Sequence, residues 1–124
     1  MFYVVESSKS FYEATLDLEP VVQRLGFVVL NSVNLGEILR GKDLEPDDDC
    51  MVFDVCNYRH LEKMLAIDMQ LGTMLPWRIS IFTDNGATKI ALLRPEALLS
   101  GNPRLARLAA EMEEKMLQIV DETR

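Results

Sequence analysis

The dipeptide Asn85-Gly86 constrains this chain more than any other feature, because it sits between two alternating stretches, Trp77 to Asp84 and Ala87 to Arg94. A two-residue hairpin loop of the type that matches strand twist needs positive φ at both central residues. Asn tolerates that region and Gly adopts it freely. With the turn placed there, Asp84 faces Ala87 and the register follows by counting. Trp77, Ile79, Ile81 and Thr83 share a face with Arg94, Leu92, Ile90 and Thr88, while Arg78, Ser80 and Phe82 share the other with Leu93, Ala91 and Lys89. A slip of one residue would exchange the faces, so the apolar set is expected to be core and the second set a mixed surface.

The remaining elements are placed around this hairpin. Phe2 to Glu6 is rich in aromatic and β-branched residues and reads as a short strand. Ser10 with Glu13 forms a capping box, and Phe11, Ala14, Leu18, Val21, Val22 and Leu25 follow at helical spacing up to Gly26, a left-handed terminator. Pro20 interrupts that helix, and a kink on its solvent side is expected. Phe27 to Val33 reads as a second strand, and Asn34 caps a short turn from Leu35 towards Arg40. The polar loop Glu45-Pro46-Asp47-Asp48-Asp49 comes next. Cys50 to Cys56 is nearly all apolar, which predicts a central strand covered on both faces. Asn57 caps a helix from Tyr58 to about Gln70, bounded by Gly72 and Pro76. Pro95 stops the hairpin, and Asn102-Pro103 opens a last helix over about 103–121. Its stripe of Leu105, Ala109, Met112, Met116 and Ile119 is too short for a coiled coil and reads as helix-on-sheet core. The fold class is therefore α+β, a single domain over 1–124 whose antiparallel sheet is backed by helices. Its order is β-α-β-β-β-β-α with extra short helices.

Charge excludes some partners. Twenty acids against thirteen bases leave a net charge of −7, which repels nucleic-acid phosphates and anionic lipid surfaces. Neither a basic n-region at Met1 to Glu6 nor an 18-residue apolar run is present, so a cytoplasmic protein is expected. Cys50 and Cys56, on one strand, would lie about 20 Å apart at about 3.3 Å per residue. That is too far for a disulfide, and free thiols fit a reducing compartment.

Arg24-Leu25-Gly26-Phe27, Cys56-Asn57, Leu75-Pro76-Trp77-Arg78-Ile79 and the Asn85-Gly86 hairpin ending at Pro95, in this element order, resemble the domain-of-unknown-function family 302 over roughly residues 1 to 100. The resemblance implies a fold like a TATA-binding-protein half-domain and a tendency to form homodimers. It implies no established reaction. Many relatives read Cys-Asn-Pro where this chain has Cys56-Asn57-Tyr58, and Leu-Pro-Cys-Arg where it has Leu75-Pro76-Trp77-Arg78, so the resemblance does not carry over a paired-thiol site.

Few spacings carry chemistry. Gly36 to Asp43 nearly spells the phosphate loop G-x-x-x-x-G-K-[ST], but Asp43 replaces the hydroxyl that magnesium needs. Glu45, Asp47, Asp48 and Asp49 lack the spacing of a calcium loop and read as solvated. Cys56 precedes a helix N-terminus, where the dipole favours a thiolate, and His60, the only histidine, lies one turn on. Arg78 would add a positive charge if its strand neighbours that of Cys56. Asp54 shares a face with Cys50, Val52 and Cys56. It is either an unpaired buried carboxylate or a structural partner of Arg78. The methionines, including Met64 and Met69, read as core packing or interface, and no cofactor or metal is expected.

Three functions follow. The first is a homodimeric module binding a small organic or anionic ligand, with Cys56, Asn57, His60, Arg78 and Ser80 at the site and Lys89 on the same sheet face. The second is a thiol-dependent enzyme or redox protein with Cys56 as nucleophile and His60 as base. The third is a structural or regulatory dimer without a ligand, joined through the last helix and an edge strand.

Overall fold

The computed structural model describes residues Met1–Arg124. Five strands, β1 (Phe2–Ser7), β2 (Val28–Asn34), β3 (Cys50–Cys56), β4 (Trp77–Asp84) and β5 (Ala87–Leu93), form one sheet in the order β1-β5-β4-β3-β2, antiparallel throughout. The hairpin has the expected register: Ile79 faces Leu92, Ile81 faces Ile90 and Asp84 faces Ala87. Asn85 and Gly86 have φ of 51° and 86°, as a two-residue loop of that hand requires.

Consecutive strands β1 and β2 occupy opposite edges, so the helix joining them must cross the whole sheet. Four interstrand gaps span about 19 Å, and the 14 residues of α1 (Phe11–Arg24) rise about 21 Å. Ser10 accepts from the Glu13 N–H at 3.1 Å at its start. At its end Gly26, at φ 83°, donates to Gln23 O while Phe27 donates to Val22 O, a two-bond left-handed cap. Pro20 lies on the exposed side and the helix runs through it. α2 (Leu35–Arg40) is capped by Asn34.

α5 (Ala106–Thr123) packs beside α1 on the same sheet face. Its residues Leu108, Ala109, Met112, Met116, Ile119 and Val120 join Ala14, Leu18 and Val22 of α1 over Phe53, Val55, Trp77, Ile79, Ile81, Ile90 and Leu92. The stripe of the last helix is thus spent within its own chain. On the opposite sheet face, of the residues carried by β1, β5, β4 and β3, only Cys56 is buried.

Three details differ from the sequence reading. β3 has a neighbour on each side, but β4 is the central strand, and the second face of β3 is half-covered at Cys50, Val52 and Asp54. The apolar content at Val52 faces a cavity instead of a helix layer. α3 (Tyr58–Ile67) stops before Gln70, because Asp68 is extended and its carboxylate caps a separate 3-10 helix, Met69–Met74, by accepting from Gln70 N–H at 2.9 Å. Met69, consequently, is exposed, whereas Met64 is fully buried.

A last short helix, α4 (Pro95–Leu99), is fastened to α5 by Glu113, the only charged residue buried in the fold. One of its oxygens accepts from Arg94 Nη2 and the other from the Glu96 N–H, each at 3.2 Å. Removing a buried acceptor strands its donors. Glu113→Ala is therefore predicted to destabilise the protein by about 1–3 kcal/mol in urea unfolding, and Glu113→Gln by less. Equal stability of Glu113→Ala and the wild type would contradict this role.

Candidate functional site

The half-covered sheet face holds a cavity of ≈ 340 Å³. Its floor is Val52 on β3, Ser80 on β4 and Ala91 on β5, three side chains that alternation directs away from the core in adjacent strands. Met74, Leu75, Pro76 and Leu98 make walls from the segments that precede β4 and follow β5, and exposed Phe2 stands at the rim. Nine of the thirteen lining residues are hydrophobic, so the interior suits an apolar body, with polar recognition left to a few groups.

Arg78 is the cation of that rim. Its register partner is Asp54, and Arg78 Nε donates to Asp54 Oδ1 at 3.2 Å. The guanidinium is 73% exposed while the carboxylate is 17% exposed, so the pair leaves most of the arginine's donors turned to solvent. Asp54 is thus a structural partner of Arg78. Ser80, one alternate position along, has no intramolecular partner for its hydroxyl and faces the cavity.

Of the sequence-derived site residues, Arg78 and Ser80 line this cavity and Cys56, Asn57 and His60 do not. Cys56 is buried beside Leu75 and Pro76, which form a partition, and lines a second, smaller hollow of ≈ 260 Å³ with Leu30, Leu61, Leu65 and Gly72. Burial pushes its thiol pKa up, as it does that of half-buried Cys50. No charged neighbour offsets this for Cys56.

Asn57 is occupied structurally, its Oδ1 accepting from the Arg59 and His60 N–H groups and its Nδ2 donating to Gly26 O. The His60 ring meets Phe27 edge-on, with centroids 5.8 Å apart, and its buried Nδ1 has no hydrogen-bond partner. Burial lowers the His60 pKa, and Glu111 and Lys63 act on it in opposite senses. Cys56 is buried and the His60 ring turns towards Phe27, with no hydrogen bond between the two side chains.

The walls at Met74 and Leu98 are what residue-by-residue reading of the sheet missed. The break in helical continuity at Asp68 was the available signal for Met74, since it turns Met69–Met74 into a separate wall segment. The acidic loop is used internally: Asp48 accepts from the Thr83 hydroxyl at 2.9 Å and Asp49 pairs with Arg40 at 2.8 Å. Gly36 lies within α2, so Gly36 to Asp43 forms no phosphate-cradling loop.

The family model described as "Domain of unknown function DUF302" matches residues 3–123, a span that includes α5. Among solved structures, the "Crystal structure of uncharacterized conserved protein DUF302 from Bacillus stearothermophilus" is similar with a TM-score of 0.94 and 28% identity, covering 99% of this chain and 98% of that one. No curated protein matches the chain. No helix is long and apolar enough to cross a membrane.

Two measurements follow from the titrating groups. In a Cys50→Ser background, iodoacetamide alkylation of Cys56 is expected to show an apparent pKa above the roughly 8.5 of a free thiol. A value below it would mean an activated cysteine. For His60, a lowered folded pKa means that below about pH 6.5 the unfolded chain holds a proton that the native chain lacks. Stability is therefore fully present above that pH and lost as pH falls towards the folded pKa, with a slope of at most about 1.4 kcal/mol per pH unit. His60→Leu should remove this part of the slope between pH 7 and 6. An unchanged slope would exclude His60 as its source.

Proposed function

The chain belongs to the DUF302 family of domains of unknown function, and from that premise we propose that it is a homodimeric module binding a small organic molecule with an apolar body and one anionic group. The observation that carries this reading is the cavity on the half-covered sheet face. Its volume of ≈ 340 Å³ falls at the lower end of the range for small-molecule sites. Its lining is mostly apolar, and its polar side chains are Thr73, Ser80 with a free hydroxyl, and Arg78 with a mostly solvated guanidinium. In that arrangement the apolar body sits over Val52 and Ala91, the hydroxyl orients it, and Arg78 pairs with the anionic group while retaining Asp54. A guanidinium offers its remaining donors as a planar fork, which suits a carboxylate or sulfonate.

The dimer is supported by what surrounds the cavity. Phe2 and Val4 of the edge strand are 69% and 49% exposed, and they continue the apolar floor onto the open face. A second copy seated there would remove them from water and close the cavity. The stripe of α5 is already consumed inside the chain, so it offers no comparable surface.

The test uses 1-anilinonaphthalene-8-sulfonate, an apolar anion whose emission rises on leaving water. Saturable binding is expected for the wild type. Ser80→Trp should abolish it by filling the cavity, and Arg78→Met should weaken it by about tenfold, the loss of one charge-assisted contact. Equal binding by all three proteins would overturn the site. Sedimentation equilibrium of Val4→Glu against wild type tests the dimer separately: a wild type that is already monomeric at about 100 μM would overturn that part.

A further inference from the structure

We propose that the groove between α3 and α5 binds a small phosphate monoester, its phosphate held by Lys63, Arg104 and Arg107 and its organic part against Ala66, Ile67 and Leu108. This groove, of ≈ 540 Å³, is separate from the cavity on the sheet face, and Glu111 is its one acid.

The charge pattern of α5 is the first support. α1 and α2 each carry a glutamate in the first turn, Glu13 and Glu37, and an arginine in the last, Arg24 and Arg40, as the helix dipole favours. α5 is reversed at both ends. It has no acid in its first turn, where Arg107 lies and where the leading 3-10 turn, Pro103–Leu105, adds Arg104. Near its C-terminus stand Asp121 and Glu122.

The two ends are treated differently by the rest of the fold. At the acidic end Asp121 accepts from the Tyr3 hydroxyl and Glu122 pairs with Arg24, both at 2.6 Å. At the basic end no ion pair forms, although Glu111 lines the same groove. The six ion pairs of the chain use Lys9, Arg24, Arg40, Arg78, Lys89 and Arg94, so Lys63, Arg104 and Arg107 are in none of them. The C-terminal end of α3 offers them at most about half an opposing charge. Three unpaired cations therefore converge on one groove of a protein whose net charge is −7.

An anion there is favoured twice, by the cations and by the positive end of α5. Two guanidiniums and an ammonium match the oxygens of one phosphate. Glu111, one turn along α5 from Arg107, repels a second phosphate and accepts from an N–H or O–H of the ligand. This selects a hydroxyl-bearing monoester over a polyphosphate. Lys63 and Glu111 also act on the ring of His60, which makes the only histidine a reporter of the groove.

The experiment is a titration of the full chain with ribose 5-phosphate, followed by calorimetry and by the His60 ring resonances, with ribose, inorganic phosphate and pyrophosphate in parallel. Saturable binding of ribose 5-phosphate is expected, tighter than that of the other three, with the His60 resonances moving in step. Arg104→Gln/Arg107→Gln should weaken it by about 100-fold, a factor of about ten for each guanidinium. Because the variant removes cations from the positive end of a helix, its thermal midpoint should equal or exceed the wild type's, so loss of binding is not loss of fold. Arg78→Met should leave this binding unchanged. Absence of saturation below about 10 mM, or equal affinity in the double variant, would overturn the site. Inorganic phosphate or pyrophosphate binding as tightly as the ester would overturn the monoester assignment.

Discussion

Ile79, Ile81, Ile90 and Leu92, none more than 1% exposed, are the residues on which this structure depends, because the hairpin turn commits all four to one face of β4 and β5. Burying side chains of this size is worth about 1.5–3 kcal/mol each, so a register that exposed them would lose more than any local preference could restore. Once that face is apolar, α1 and α5 must lie on it. The connection between opposite edges then requires a helix as long as α1.

The same commitment leaves the other face half-covered. Alternation turns Arg78, Ser80, Ala91 and Val52 outward, and with no helix layer there they remain half-covered or exposed. The ion pair of Arg78 with Asp54 anchors the arginine at a fixed place on this surface without burying its charge. Glu113 has a related role at a distance: by holding the Glu96 N–H it sets α4, whose Leu98 forms part of the cavity wall. A core contact and a wall of the site are thus connected through one buried carboxylate.

Features governed by local chemistry were legible in the residues. The capping box at Ser10, the left-handed Gly26, the hairpin at Asn85-Gly86 and the stripe of α5 depend on neighbours within a few positions, and each stands where the pattern puts it. Asp68 misled because a polar residue on an amphipathic helix reads as a solvated face, while its carboxylate prefers to cap Gln70. The continuous apolar run of β3 suggested two covered faces. One of those faces meets a cavity, which demands apolar residues equally. Proximity across elements was less accessible. Cys56, His60 and Arg78 follow each other closely in sequence and topology, yet the partition at Leu75 and Pro76 and the orientation of His60 towards Phe27 divide them. The groove of Lys63 with Arg104 and Arg107 was invisible for the converse reason, since its residues are distant in sequence and meet only through packing of α3 and α5.

The central proposal is that the half-covered side of the sheet is the recognition surface of this fold. Methyl resonances map it directly, because Val52, Ala91 and Leu93 lie on that side while Met112, Met116 and Ile119 lie under the helices. On titration with an apolar carboxylate such as octanoate, the account predicts saturable shifts at Val52, Ala91 and Leu93 with the α5 methyls unmoved. Shifts confined to the methyls beneath α5, or none that saturate, would contradict it.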